Sequence, residues 1–465
     1  MTMHFVFYDT ETTGLSRDFD QILQFAAIRT DSDLNEIDRF DIRCRCLPWV
    51  VPAPIALLVT GIRPAQLIDR ELPSFYEMMC AIRGKLVTWS PAIFLGYNTI
   101  RFDEPLLQRA FWQSLHPPYL TVTNGNARLD VLPLAQAASH LAPTALAYPI
   151  TPTGRKGFKL DQLAPLNGFS HEKAHDALAD VEATIHVARL LKERVPKLWE
   201  HAVLNAPKAQ TAALLAPGEP VLVVEHFRGR PSLWWGQRLD RNGASGTSAS
   251  LARLGFDWRS LSGETSDELV SLLSKSPKPL RAIALNKAPI VFTADQASNF
   301  FDLSPSELEL SDSAFLSIYP EFCAHVLAAS DAIAEPRSEP EHLEQMVHAG
   351  FAGRTDEALM AQFHREEWLG RADLVRRFED VRFRQLAQRL VYEAAPHLLS
   401  KDDVSRLAHA IGERLASDPG DVTLWRSLAM AKAELEEARL QPWPGPFIDE
   451  IEAFLALIGT AKRRL

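Results

Sequence analysis

The stretch His4-Phe-Val-Phe-Tyr-Asp-Thr-Glu-Thr-Thr-Gly14 (HFVFYDTETTG) decides how this chain is read. His4 to Tyr8 is a short apolar, aromatic and β-branched run of the kind that forms a buried strand. Side chains two apart on a strand share a face, so Asp9 and Glu11 project together before Thr12, Thr13 and Gly14 turn the chain. A D-x-E after a strand is by itself more often a solvated turn than a site. Its meaning rests on what the rest of the chain brings to it.

Two further segments bring acids. Ala92 to Tyr97 (AIFLGY) is a second strand-like run, followed by Asn98 and then by Asp103, where a helical pattern starts with Leu106, Leu107, Ala110 and Phe111 on one side. A carboxylate at a strand-to-helix junction lies near the end of the sheet, where open α/β folds place their ligands. The third segment is AHDALAD (Ala174 to Asp180), which opens a helix with Asp176 as N-cap and Leu178, Val181, Ile185, Ala188 and Leu191 as its buried stripe. Asp180 falls on the flank of that stripe, near the sheet, and His175 precedes the helix on a loop.

Carboxylate oxygens are the hard ligands that Mg²⁺ and Mn²⁺ prefer. Two such ions roughly 3.5–4 Å apart stabilise both the attacking and the leaving oxygen of a phosphoryl displacement. An imidazole, with an unperturbed pKa of about 6.5, accepts a proton from water near neutral pH. Asp9, Glu11, Asp103 and Asp180 as metal ligands, with His175 as general base, therefore point to phosphodiester hydrolysis. An F-D before a helix is commonly a cap, and H-D-A-x-A-D can be a capping cluster. All three motifs in this order, each on the right element, are hard to obtain by chance.

The segments YDTETTG, GYNTIRFD and AHDALAD resemble the DEDD exonuclease superfamily in its His-containing subclass. The resemblance extends to the exodeoxyribonuclease I family within it, through LQFAAIRTDSDLNEI (Leu23 to Ile37), VTGIRP (Val59 to Pro64), GFKLDQLAPLNG (Gly157 to Gly168) and KAHDALADVEATI (Lys173 to Ile185). Thinner similarity in ALNKAPIVF (Ala284 to Phe292) and AGFAGRTDEALM (Ala349 to Met360) carries it over essentially the whole chain. The resemblance implies that Asp9, Glu11, Asp103 and Asp180 hold two Mg²⁺ ions, with Mn²⁺ as a substitute, and that His175 is the base. Lys159 stands where the family has an Arg near the scissile phosphate, so a bidentate grip becomes a point charge. Thr60, Gly61 and Ile62 occupy the loop that packs against the terminal base, Tyr119 aligns with an aromatic that meets the strand, and Thr12 and Lys287 join Glu11 among the substrate contacts. Asn98 either orients the strand end around Asp103 or makes a purely structural hydrogen bond.

The same resemblance implies a ribonuclease H-like mixed-sheet α/β exonuclease domain over residues 1–202, an SH3-like domain over 203–345 and a helical domain over 346–465. The activity implied is processive 3′-to-5′ degradation of single-stranded DNA to nucleoside 5′-monophosphates in DNA repair and recombination. The acidic C-terminal tail of a single-strand DNA-binding protein is the implied partner. An RNA-trimming or proofreading exonuclease on the same catalytic domain is the nearest alternative, but such enzymes are usually little more than that domain. A non-catalytic single-strand-binding module is the other, and it would have no need for all of the catalytic positions.

Composition agrees. A chain of 465 residues with 46% hydrophobic and 23% charged residues reads as a globular protein of two or three domains. No run of ~18 uninterrupted apolar residues suggests a membrane span, and the N-terminus enters a strand without a signal-peptide pattern. Cys44, Cys46, Cys80 and Cys323 lack zinc spacing and read as reduced thiols of a bacterial cytoplasmic, monomeric protein. A net charge of −10 is not the basic footprint of a nucleic-acid binder. The metal-binding acids account for part of it, and segregation of Lys and Arg to one groove would account for the rest.

In the middle region, Pro220 to Val224, Ser232 to Gly236, Leu280 to Leu285 and Pro289 to Thr293 read as strands between turns such as NGASGTSAS, which argues a small β-barrel or sandwich. Trp234 and Trp235 are neighbours on one of them, so only one is expected to face a core, and the other could stack a base. Arg228, Arg230, Asn286 and Lys287 are candidate strand contacts, a solvated surface being the plainer reading. Ala334 to Glu344 (AEPRSEPEHLE) reads as a linker. Beyond it the pattern is helical, with Arg377, Arg382, Arg384 and Arg389 offering a basic face, although VYEAAP (Val391 to Pro396) departs from the aromatic-and-arginine segment the family would carry there.

Overall fold

A computed structural model describes residues 4–170, 175–227, 230–240, 246–333, 339–417 and 424–461. The opening apolar run forms β1 (Phe5–Thr12), which lies at the centre of a mixed sheet. It pairs antiparallel with β2 (Ile22–Thr30), which pairs antiparallel with β3 (Glu36–Arg43). On its other side it pairs in parallel with β4 (Ile93–Gly96), and β4 with β5 (Ala127–Asp130), giving the order β3-β2-β1-β4-β5. The central strands are buried along almost their whole length because both faces are covered. A five-stranded mixed sheet with helices on both faces is the α/β architecture that the motifs imply.

Eight helices follow in this first region: α1 (Pro54–Thr60), α2 (Pro64–Ile68), α3 (Phe75–Trp89), α4 (Asp103–Gln113), α5 (Val131–Leu141), α6 (Leu160–Leu166), α7 (Ala177–Arg194) and α8 (Pro196–Leu204). Helix α7 packs on β1 and β2, burying Val181, Ile185, Ala188 and Leu191 against Phe5, Phe7, Ala26 and Ile28. The opposite face of the sheet, with Val6, Tyr8, Phe25 and Phe94, is covered by α3 and α4.

After α9 (Lys208–Leu214) comes a second sheet of β6 (Pro220–Phe227), β7 (Arg230–Arg238), β8 (Ser248–Arg253), β9 (Leu280–Ala284) and β10 (Ile290–Thr293) in the order β10-β6-β7-β8-β9, each pair antiparallel. The four strands expected there form; β8 was hidden in a Ser-rich stretch read as a turn, of which residues 241–245 lie outside the described part. Trp234 and Trp235 correct the expectation that only one could be buried. Both are, in two different clusters, because this sheet too is covered on both faces. They are core residues rather than a stacking platform. The cluster holding Trp235 is continuous with the α7 face of the first sheet, so the first two regions share a core.

Helices α10 (Ser266–Leu273), α11 (Ala294–Phe301), α12 (Glu307–Ile318) and α13 (Pro320–Ile333) complete the middle region, and α14 (Arg354–Phe363), α15 (Trp368–Val375), α16 (Val381–Ala394), α17 (Lys401–Ala416), α18 (Leu428–Arg439) and α19 (Gly445–Ala461) the last. Helices α17 to α19 contribute Ile411, Leu435 and Ile451 to the core on the α3–α4 side of the first sheet. The expected linker is not free at its end. Glu344 is buried and accepts from Arg389 (2.9 Å) and Arg414 (2.6 Å), which hold its carboxyl down at about 2 against the cost of burial. That network also corrects the basic face: Arg389 serves Glu344, Arg382 serves Asp380 (2.6 Å), and Arg384 donates to the Phe378 carbonyl (2.7 Å).

Candidate active site

Alternation along β1 sets the site. Phe5, Phe7, Asp9 and Glu11 share the face that carries α7, and the register puts Ala26 opposite Asp9 and Gln24 opposite Glu11. The apolar end of this row is core, and its polar end meets the first turn of α7, which carries Asp180. Asp176 caps that helix by accepting from the Ala179 amide, as expected. Ligand oxygens of Asp9, Glu11 and Asp180 consequently lie within 4.8 Å of one another.

Asp103 stands just outside this trio. It is the first residue of α4, 4% exposed, and its Oδ1 accepts from the Thr10 hydroxyl (2.5 Å) and the Thr10 amide (3.2 Å), the residue between Asp9 and Glu11. The turn leading to it is shaped by a residue that the sequence reading missed. Asp130, at the end of β5, accepts from the amides of Asn98 (2.8 Å) and Ile100 (3.1 Å) and caps α5 through Leu132. Asn98 adopts φ 67°, which asparagine tolerates better than most residues. Gly96 is required because a Cβ there would fall 2.4 Å from the Tyr8 carbonyl oxygen. Asn98 thus works here through its backbone.

Glu104, the neighbour of Asp103, is a second missed residue. It is buried and accepts from the Tyr8 hydroxyl (2.7 Å), Gln108 (2.9 Å) and the Thr121 hydroxyl, and it pairs with Arg128 (3.1 Å). Arg128 in turn donates to the Asn286 carbonyl (2.6 and 2.9 Å), which docks the turn that carries the exposed Lys287 onto the first region.

Burial and mutual repulsion dominate the electrostatics. Burial, then the charges of Asp103, Glu11 and Asp180, push the Asp9 carboxyl well above the carboxylate range. Burial, then Asp180 and Asp103, push Glu11 up to about 9, with Arg43 opposing. Burial lifts Asp103 to about 7 against the hydrogen bonds from Thr10. So many buried acids stay ionised together only when cations neutralise them. The donor set is all oxygen, which fits hard divalent ions such as Mg²⁺ or Mn²⁺.

His175 is exposed immediately before the cap of α7, with a left-handed backbone (φ 67°). Lys159 is exposed at the N-terminus of α6. Gly61, at φ 68°, ends α1 and leads into the buried Ile62, while the Thr12 hydroxyl donates to the Gly14 carbonyl (2.7 Å). The Tyr119 hydroxyl contacts His348 Nδ1 (2.8 Å), and its ring meets the exposed Phe351 edge-on. Arg230 is exposed, and Arg228 and Lys173 lie outside the described residues.

A second group of ligand types, Cys80, His116 and His364, also lies within 4.8 Å, but its orientation is wrong for a metal. The two imidazoles stack face to face at 3.8 Å and 14°, so lone pairs lying in the ring planes cannot converge on one ion. His364 Nε2 contacts the Leu115 carbonyl (3.1 Å) and must donate there, leaving Nδ1 to accept from the Tyr76 hydroxyl (2.9 Å). The cluster is a hydrogen-bonded seam between the first region and α14.

Residues 6–188 match the family described as Exonuclease. The chain is 32% identical over 308 residues to Exodeoxyribonuclease I of Haemophilus influenzae, an alignment covering 62% of this chain and 64% of that protein. To the Exodeoxyribonuclease I of Escherichia coli it is 29% identical over 381 residues, 77% and 78% of the two chains. The crystal structure of E. coli Exonuclease I in complex with a dA16 oligonucleotide superposes with a TM-score of 0.82, at 25% identity and 99% coverage of both chains. Fold and site thus define a nuclease of the exonuclease class. Within that class the chain is similar to exodeoxyribonuclease I proteins, of which the alignment with the Haemophilus influenzae relative spans 64% of that protein's length.

Proposed function

We propose that this protein degrades single-stranded DNA processively from its 3′ end, releasing nucleoside 5′-monophosphates, and serves DNA repair and recombination in the bacterial cytoplasm. The observation that carries the reading is the convergence of Asp9, Glu11 and Asp180, with Asp103 beside them and His175 at the head of the helix that bears Asp180. Asp9, Glu11, Asp103 and Asp180 would hold two divalent cations, Mg²⁺ with Mn²⁺ as substitute, which when bound neutralise charge on the scissile phosphate and polarise the attacking water. E. coli Exonuclease I has itself been solved in a zinc-bound form with single-stranded DNA.

His175 takes the proton of the attacking water at an imidazole nitrogen as the new O–P bond forms in line and the P–O3′ bond breaks. The 3′ oxygen stays on the shortened strand, and the terminal nucleotide leaves with its 5′-phosphate. Lys159 supplies a point charge to the non-bridging oxygens. Thr12, Gly61 and Tyr119 line the path of the terminal nucleotides, and Lys287 reaches the strand from the second sheet, held there through Arg128 and Asn286. A strand threaded between the first region and the other two is retained between cuts, which supports processivity. A solved SSB/Exonuclease I structure supports a single-strand DNA-binding protein as partner; we assign the contact to that protein's acidic tail and the activity to a monomeric enzyme.

The test is a 5′-labelled single-stranded DNA oligonucleotide with Mg²⁺, beside RNA and duplex counterparts. A ladder shortening from the 3′ end on single-stranded DNA is expected, abolished by EDTA. In His175→Ala the rate should fall by roughly 10²–10⁴-fold, the usual contribution of a general base. Faster RNA degradation would move the enzyme to the RNA-trimming branch, and binding without cleavage would leave only a strand-binding role.

A further inference from the structure

The polar row that begins at Glu11 does not end there. Glu11 on β1 stands opposite Gln24 on β2, and Gln24 stands opposite Arg43 on β3, so the three side chains share the α7 face. At the end of the row, the Arg43 guanidinium pairs with Asp176 Oδ2 (2.7 Å) and donates to Gln66 Oε1 on α2 (3.3 Å). Gln24 Nε2 reaches the same Asp176 oxygen (3.4 Å) and Asp41 (3.0 Å). Asp176 thus has its backbone at the head of α7 and its carboxylate fixed to the edge of the sheet.

The residue it follows is His175, a non-glycine residue held in the left-handed region at φ 67°. That conformation persists only where the surroundings over-determine it. On the helix side the determinant is Asp176, and the group that pins Asp176 laterally is Arg43. Further along the strand, Arg39 makes two bonds to Glu36 (2.6 Å) and also pairs with Glu182 (3.2 Å), a second tie between β3 and α7 away from the helix head.

We propose that Arg43 is a positioning residue for the reaction: through its ion pair with Asp176 it holds the His175 backbone where the imidazole reaches the attacking water. This rests on His175 acting as proton acceptor. Arg43 itself does not touch the reacting atoms.

The experiment uses the full chain with Mg²⁺ and single-stranded oligonucleotides under single-turnover and steady-state conditions. Arg43→Gln should lower the cleavage rate roughly 10–100-fold, as a misplaced catalytic group does, with KM changed by less than about twofold. Arg43→Lys, which keeps the charge pair, should recover most of the rate. Asp176→Asn keeps a capping side chain but loses the pair, so it should reproduce the Arg43→Gln defect, and the double variant should be no worse than either. In a His175→Ala background Arg43→Gln should cost nothing further. Three results would overturn the proposal: an unchanged rate, a raised KM with unchanged kcat that marks a strand contact, or an equal loss with and without His175 that marks a merely structural role. A His175→Ala variant as fast as the parent would instead overturn the reading of His175, separating the two failures. Thermal melting of each variant distinguishes lost folding from lost positioning.

Discussion

Among the described residues, two groups of potential ligand side chains each lie within 4.8 Å of one another, and they differ in what their donor atoms face. Asp9, Glu11 and Asp180 converge from a strand face and a helix head, all with hard oxygen donors whose repulsion needs a cation. Cys80, His116 and His364 also lie within 4.8 Å of one another, but stacked rings and the hydrogen bonds of His364 turn their lone pairs away from a common point. Proximity of ligand types is therefore not a site. Orientation, and whether each donor already has a partner, decides.

The sharpest way to break this comparison is to remove the charge from the first cluster. Asp9→Asn and Asp180→Asn should each lower cleavage by about 10³-fold or more while leaving the fold intact, because on the proposed mechanism they delete ligands of the cations that stabilise the transition state. Calorimetric Mg²⁺ titration should show the affinity falling with the rate.

The two clusters should also respond to pH in opposite directions. The folded Glu11 carboxyl, raised to about 9, lies above its unfolded value of 4.5. Its contribution to the stability of the cation-free protein is present below about pH 4.5 and is lost as pH rises toward 9. The rise in melting temperature on adding Mg²⁺ should consequently grow with pH over that window, since cations displace protons from these acids. His116 and His364 run the other way: burial, reinforced by their neighbours, pushes them down to about 2 and about 4 from 6.5. Their contribution is present above pH 6.5 and is lost as pH falls through about 4 for His364 and about 2 for His116, so His364→Gln should flatten the upper part of that acid limb of a melting curve. The smallest expected effect is the most discriminating. Stoichiometric Zn²⁺ added to Asp9→Asn/Asp180→Asn should leave the melting temperature unchanged; a rise lost in Cys80→Ser would show that the second cluster rearranges into a metal site after all.

The chemistry-bearing motifs were legible because each depends on spacing within one element. Alternation along Phe5–Thr12 put Asp9 and Glu11 on one face, and the helical stripe through Val181, Ile185 and Ala188 put Asp180 beside them. Asp176 as a cap follows from the same local rules. The residues that hold the site in shape were not legible. Asp130 acts on amides 30 and 32 positions away, Arg128 joins Glu104 to Asn286, and Arg43 reaches Asp176 across 133 positions. Trp234 and Trp235 show the same limit, since whether a strand has one buried face or two depends on what packs behind it. Glu344 does too: in a Pro- and Glu-rich stretch it reads as solvated, and two arginines from distant helices make it core.

By itself, then, the sequence determined the catalytic strand, the helix that faces it and the identity of the acids, because backbone periodicity is a local property that repeats every two or 3.6 residues. Only the tertiary structure decided which acids converge, which histidines stack on each other, and which arginine pairs with Asp176 beside His175. Those outcomes depend on strand register and on partners brought together by folding, and spacing along the chain carries no information about either.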